Sequence, residues 1–341
     1  MNYTTVHNLQ RVKGLDSIRF IAAVWVMLYH VGTAPVYDNF ERNTLLLKII
    51  GATMDCAFNG PAAVIVFFVI SGFCIHYPNS KRSEFRFLSY ISKRYIRIII
   101  PLLFCLLATN LAGLSTDTVG SLVGWSIECE IIYYTIYPIL RLISKKVSWT
   151  LMIFVSLTFS FLYIGETRPD ALMYPSFGLW GNALIGLPCW LLGCKLAEKP
   201  NFKSMTKAPV LSRFGIFLGG IITFSLMLHA EIGFPWSLNI FSIFVYLWLA
   251  REISFYRRAK PPKWLESAGT WSYSLYLAHG PISVYLNQIQ PAQISEFIFF
   301  FIKVTIIFCA SYVFYLLVEK PSHSLARRVG INLANTSTPM H

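Results

Sequence analysis

Apolar residues run through this chain in ten stretches, each bounded by polar or charged residues: 17–36, 61–77, 95–114, 119–140, 149–165, 176–197, 214–229, 235–250, 271–288 and 297–318. A helix needs about 20 apolar residues to cross about 30 Å of hydrocarbon. The pattern therefore predicts an all-α, polytopic membrane protein with about ten transmembrane helices. Residues 1–16 are polar, and no small-residue cleavage pattern follows the first stretch, so the first helix is expected to act as its own insertion signal. No internal repeat, low-complexity run or soluble domain interrupts the series. The expected organisation is one transmembrane domain over 1–330 and a polar tail over 331–341.

Composition agrees with this pattern. Hydrophobic residues make up 55% of the chain and charged residues only 13%, whereas a soluble domain carries about a quarter charged residues. The formal net charge of +13 would by itself fit a nucleic-acid partner, but its distribution argues against one. Arg11, Lys13, Lys81, Arg82, Arg86, Lys93, Arg94, Arg97, Arg141, Lys145 and Lys146 fall at alternate ends of the stretches. The same holds for Lys195, Lys199, Lys203, Lys207, Arg213, Arg251, Arg257, Arg258, Lys260, Lys263, Lys320, Arg327 and Arg328. The opposite ends hold Arg42, Lys48 and Arg168 among Asp38, Glu41, Asp55, Asp117, Glu166, Asp170, Glu231 and Glu296. This is the positive-inside distribution, which predicts cytoplasmic termini, outer acidic loops and an even number of crossings. Membrane lipids are the expected partners, nucleic acid is not, and no feature of the sequence specifies an oligomeric state. The cysteines match neither a metal site nor a disulfide framework, so they read as small packing residues and no metal is expected.

Charged and titratable residues inside apolar stretches are costly and mark candidate chemistry. The first stretch contains Asp16, Arg19 and His30. Eleven residues at 100° each put Arg19 and His30 on one helix face, about 16 Å apart along the axis. Arg19 can pair with Asp16 at i, i+3, and His30 reads either as a catalytic imidazole or as a polar contact between helices. The fourth stretch carries Trp125, Ser126, Glu128, Glu130 and Tyr134. Glu130 lies as far from Arg141 as His30 does from Arg19, so the two are expected at similar depth, with Glu130 the candidate carboxylate partner of His30. A carboxylate beside an imidazole can fix its tautomer and stabilise the imidazolium, which general-base catalysis requires. Arg94 and Arg97 share a face at the start of the third stretch, and their forked donors suit phosphate oxygens; lipid headgroups would be met equally well. His279 sits well inside the ninth stretch, with a structural role slightly favoured. The charges of Val318-Glu319-Lys320-Pro321 read as an interfacial anchor, and His76 and His323 as interfacial residues.

Taken in order, these motifs resemble the acyltransferase 3 family of integral membrane acyltransferases over nearly the whole chain. The resemblance is carried by Arg19 and His30 at their spacing, and by Phe67-Phe68-Val69-Ile70-Ser71-Gly72-Phe73. Arg94-x-x-Arg97 with Pro101 follows, then Trp125-Ser126 through Glu130, Tyr134 and Pro138, then Ser272-Tyr273-Ser274-Leu275-Tyr276 to His279, and Val318-Glu319-Lys320-Pro321. The chain departs from the pattern at Glu128, where a small residue is common, and at Gly280, where Trp is frequent. The resemblance implies a ten-helix bacterial inner-membrane enzyme. Such an enzyme passes an acyl group, usually acetyl, from cytoplasmic acyl-CoA to a hydroxyl of a glycan or lipid-linked saccharide. By residue-for-residue carry-over it implies catalytic roles for His30 and Glu130, and donor binding by Arg19, Arg94 and Arg97. Asp16, Trp125, Ser126, Tyr134 and His279 would then support the substrates or the site. The competing class is a transporter or flippase, because charged residues in helices also line solute paths.

Overall fold

Every apolar stretch is occupied by a helix. The computed structural model describes residues 12–32, 51, 53–54, 56–80, 84–117, 120, 124–198, 205–291 and 293–336, and no strand occurs among them. The charges assigned above to Arg11, Asp38, Glu41, Arg42, Lys48, Asp55, Lys81, Arg82, Lys199 and Lys203 lie outside the described residues, as do 337–341 of the expected tail.

The helices are α1 (Leu15–Val31), α2 (Gly60–His76), α3 (Phe87–Leu111), α4 (Trp125–Ile143), α5 (Trp149–Thr167) and α6 (Gly178–Ala197). They are followed by α7 (Val210–His229), α8 (Phe234–Tyr256), the short α9 (Lys263–Ala268), α10 (Ser272–Gln288) and α11 (Glu296–Phe314). A π-helical turn, Tyr315–Glu319, leads from α11 into α12 (Lys320–Thr336). Since α12 runs on to Thr336, the domain edge expected at residue 330 falls inside a helix. Among the described residues, five helical segments are long and apolar enough to cross a bilayer: Trp149–Thr167, Tyr174–Ala197, Val210–His229, Phe234–Tyr256 and Glu296–Asn335. Asp16 and Arg19 in α1, Lys93, Arg94 and Arg97 in α3, and Glu128, Glu130 and Arg141 in α4 are the charges these three helices carry.

The centre of the bundle is the pair α2 and α6, which is buried nearly all round. They approach closely because small residues face backbone. A Cβ on Gly72 would collide with the Trp190 carbonyl, and one on Gly193 with the Val69 carbonyl, the small-residue contact by which helices pack where no hydrophobic force drives them together. Asn59 caps α2, accepting from the Ala62 amide at 3.0 Å while its Nδ2 donates to the Gly220 carbonyl and Thr223 on α7. At the periphery α5 and α7 turn Phe154, Phe159, Leu162 and Phe214 outward, all more than half exposed. Apolar surface on this scale is tolerable only against lipid. A second layer, α1 with α10 and α11, joins the central pair through α1, and α12 packs along α3.

The start of α1 is fixed by α9. Glu266 accepts from the Gly14 amide at 2.7 Å and from Ser17 Oγ at 3.0 Å, a carboxylate placed at a helix N-terminus where unpaired amides and the helix dipole favour it. The left-handed φ of +87° at Gly14 turns the chain into this cap.

Candidate active site

Five helices, the turn before α10 and the segment after α11 enclose a polar cavity of about 600 Å³, within the range of small-molecule and cofactor sites. Its polar lining on α4 is the stripe Ser126, Glu130 and Tyr134. These residues, four apart, share one face over about 12 Å of axis. Opposite stand Asp16 and Arg19 of α1, Ser71 of α2, Arg94 and Arg97 of α3, and Tyr273 and Tyr276 of α10. Glu319 closes one side, and His323 and Arg327 of α12 stand at the mouth.

Charge organises this lining. Arg19 donates to Asp16 at 3.2 Å, and Glu130 lies within electrostatic reach of Arg19 and Arg94 and faces the hydroxyls of Ser71 and Tyr134. Those two hydroxyls are 2.9 Å apart, and Trp190 Nε1 donates to Ser71 Oγ at 3.3 Å. The Arg94 guanidinium lies 5.9 Å over the Tyr134 ring. Glu319 is 2% exposed and accepts from both the amide and the hydroxyl of Ser274 in the first turn of α10. The π-helical turn ends at this residue, and such turns often occur where a helix must present one side chain to a site. Among the described residues no carboxylate forms an ion pair with Arg94, Arg97 or Arg327. The cavity thus holds guanidiniums whose natural partner is a polyanion.

At its closed end the cavity meets Phe67, Ser126 and Tyr276. The last two are hydrogen-bonded through their hydroxyls, and Phe67 sets its ring edgewise to Tyr276 at 5.6 Å. One turn further along α10 lies His279, fully buried and 6.1 Å from Tyr276 between ring centroids. His279 stacks on His30, with His30 Nδ1 2.9 Å from His279 Nε2.

The tautomers follow from the network. His279 Nδ1 lies 3.1 Å from the Leu275 carbonyl, which can only accept, so Nδ1 carries the proton and donates it there. In the neutral ring Nε2 is then an acceptor, and the proton between the two rings belongs to His30 Nδ1. His30 is left with a bare lone pair on Nε2, the form in which an imidazole abstracts a proton. It sits in the last turn of α1 and is only half-buried.

A family model described as an acyltransferase domain matches residues 12–316 of the chain. The chain belongs to the acyltransferase 3 family. No curated protein and no solved structure matches it. Membership makes the chain an integral membrane protein and a membrane acyltransferase in general terms.

Of the residues singled out from sequence, Asp16, Arg19, Arg94, Arg97, Ser126, Glu130 and Tyr134 come together around the one cavity. Trp125 does not line it. It stacks on Tyr174 at 4.9 Å and supports α4 from behind. The structure gives His30 a neighbour that sequence did not pair with it, His279, while Glu130 has Arg19 and Arg94 within electrostatic reach. His279, slightly favoured from sequence as structural, is in hydrogen-bond contact with His30. Glu128 is exposed on the other face of α4, as its 200° offset from Glu130 requires. Glu319 and His323, read from sequence as interfacial, belong to the cavity wall, and Ser71, Tyr273, Tyr276 and Arg327 join them. For Tyr276 a signal was present, because Tyr276 and His279 are three apart on one helix face. For Glu319 the following Lys-Pro pair masked it. His76, also read as interfacial, is buried and bonded to Tyr137 at 3.0 Å and Glu198 at 2.6 Å, a contact that ties α2 to α4 and α6.

Proposed function

We propose that the protein transfers an acyl group, most simply acetyl, from cytoplasmic acyl-CoA to a hydroxyl of a glycan or lipid-linked saccharide in the bacterial inner membrane. The observation that carries this reading is a cavity lined by Arg19, Arg94 and Arg97, of which the last two form no ion pair with a carboxylate among the described residues, beside the His30–His279 pair one helical turn beyond its Tyr276 wall. Arg94 and Arg97, with Arg19, hold the phosphates of the donor, and the thioester end extends toward Phe67 and Tyr276. Tyr276 lines the cavity, bonds Ser126 and lies 6.1 Å from His279, so rotation of its ring would open the cavity toward His30. The basic ends of the helices face the cytoplasm, where acyl-CoA is made, as the charge distribution favours.

In the reaction His30 Nε2 takes the proton of the acceptor hydroxyl as its oxygen attacks the thioester carbonyl. The carbon–oxygen bond forms, the carbon–sulfur bond breaks, and the departing thiolate recovers the proton from the imidazolium, giving the ester and free CoA. His279 holds the base in its reactive tautomer, and Glu130 balances the guanidiniums of the donor site. Base catalysis of this kind contributes about 10²–10⁴-fold, and positioning of the two substrates supplies more.

The test is His30→Ala in purified protein supplied with labelled acetyl-CoA and a glycolipid extract. Release of CoA with label entering a glycan should fall by about a hundredfold or more, with donor binding retained. Full activity in the variant, or no turnover of any acyl-CoA by the folded wild type, refutes the proposal.

A further inference from the structure

The family match ends at residue 316, yet the cavity does not. Its mouth is lined by His323 and Arg327 of α12, a helix that begins at Lys320. His323 stands among three guanidiniums, Arg94 and Arg97 from α3 and Arg327 from its own helix. It is about a quarter exposed, and Arg327 is exposed at the rim. Glu319 lies 3.5 Å from His323 Nε2 and within electrostatic reach of Arg97, so one carboxylate offsets part of this charge, and the guanidiniums left in excess favour a further anion.

The helix is also anchored. Ala326 and Ser322 are buried, Ser89 Oγ of α3 donates to the Gly330 carbonyl at 2.6 Å, and Ser322 Oγ donates to the Glu319 carbonyl at 2.8 Å. Gly330 admits the Lys93 side chain where a Cβ would collide with it. The contacts of Ser89 and Lys93 with Gly330 fix the rotation of α12 against α3, and Arg327, three residues before Gly330, is fixed with it.

We infer that α12 carries a phosphate subsite, Arg327 with His323, that completes the anion site of Arg94 and Arg97 and grips the nucleotide phosphates of the donor. The inference rests on the acyl-CoA reading above for the identity of the ligand, a nucleoside phosphate with a long thioester arm. Arg327 lies at the rim, at the opposite end of the cavity from His30, so it acts on the head of the donor and not on the reacting carbonyl. Its fork can take two oxygens of one phosphate, while His323 can donate one N–H.

The experiment is equilibrium binding of CoA, and of adenosine 3′,5′-bisphosphate, to the full-length protein in detergent, comparing wild type, Arg327→Ala and Arg328→Ala. Arg328 is the exposed neighbour that does not line the cavity, so it reports the general effect of removing one surface charge. Arg327→Ala should weaken both ligands by about tenfold, near 1.4 kcal/mol, and Arg328→Ala should weaken neither by more than about twofold. Wild-type affinity in Arg327→Ala, or equal loss in Arg328→Ala, overturns the subsite. Failure of the wild type to bind CoA overturns the subsite and the donor reading together. Arg327-dependent CoA binding without any acyl transfer leaves the subsite standing and removes the acyltransferase mechanism.

Discussion

Replacement of His279 is the sharpest probe of the site, because this residue touches neither the polar cavity nor the cavity mouth and acts on the reaction only through His30. In His279→Ala His30 Nδ1 loses the partner that it meets at 2.9 Å, and the Val26 carbonyl is left as the ring's remaining hydrogen-bond partner. Weakening the hydrogen bonding of a half-buried donor in this way costs up to about 1–3 kcal/mol. The ring escapes that cost by turning or by moving its proton to Nε2, and either change withdraws the basic lone pair. At 1.4 kcal/mol per tenfold, the loss corresponds to about 5- to 150-fold in kcat. KM for the donor should stay within about twofold, since His279 is absent from the cavity lining. His279→Gln presents a carbonyl oxygen near the position of Nε2 and should recover much of the loss. The assay is acetyl-CoA-dependent release of CoA at saturating acceptor, read as separate kcat and KM values for the three proteins. Equal kcat in wild type and His279→Ala, or a change confined to KM, would refute the tautomer argument.

Two further outcomes follow from the packing and from the cavity wall. Gly193→Ala drives a methyl into the Val69 carbonyl on α2; overpacking of this kind costs about 1–3 kcal/mol, and the variant should unfold at lower temperature in detergent, whereas an unchanged midpoint would mean that α2 and α6 separate freely. Glu319→Gln keeps the shape of the side chain but weakens the two charge-assisted bonds from Ser274, each worth about 1.5–3 kcal/mol at full strength. A lowered unfolding midpoint with CoA binding retained is expected there, and loss of CoA binding with an unchanged midpoint would assign Glu319 to the ligand instead.

Much of the fold was already present in the one-dimensional pattern. The order of ten apolar stretches, their helical state and the membrane as solvent follow from composition and period, because each helix satisfies its own backbone and needs no partner to be recognised. The spacing of Ser126, Glu130 and Tyr134, and of Arg94 and Arg97, likewise determined which residues share a face. The one-dimensional pattern did not reveal which face meets which. His30 and His279 lie 249 residues apart, and no local period links them; the approach of α1 to α10 made them a pair and left Glu130 to the arginines. Glu319 and His323 read as interfacial because a charge near a helix end usually snorkels, and only the π-helical turn and the docking of α12 on α3 turned them inward. Sequence thus determined the helices and the chemistry each one carries, whereas tertiary structure decided the partners, since hydrogen bonds and ion pairs depend on distances that only packing sets.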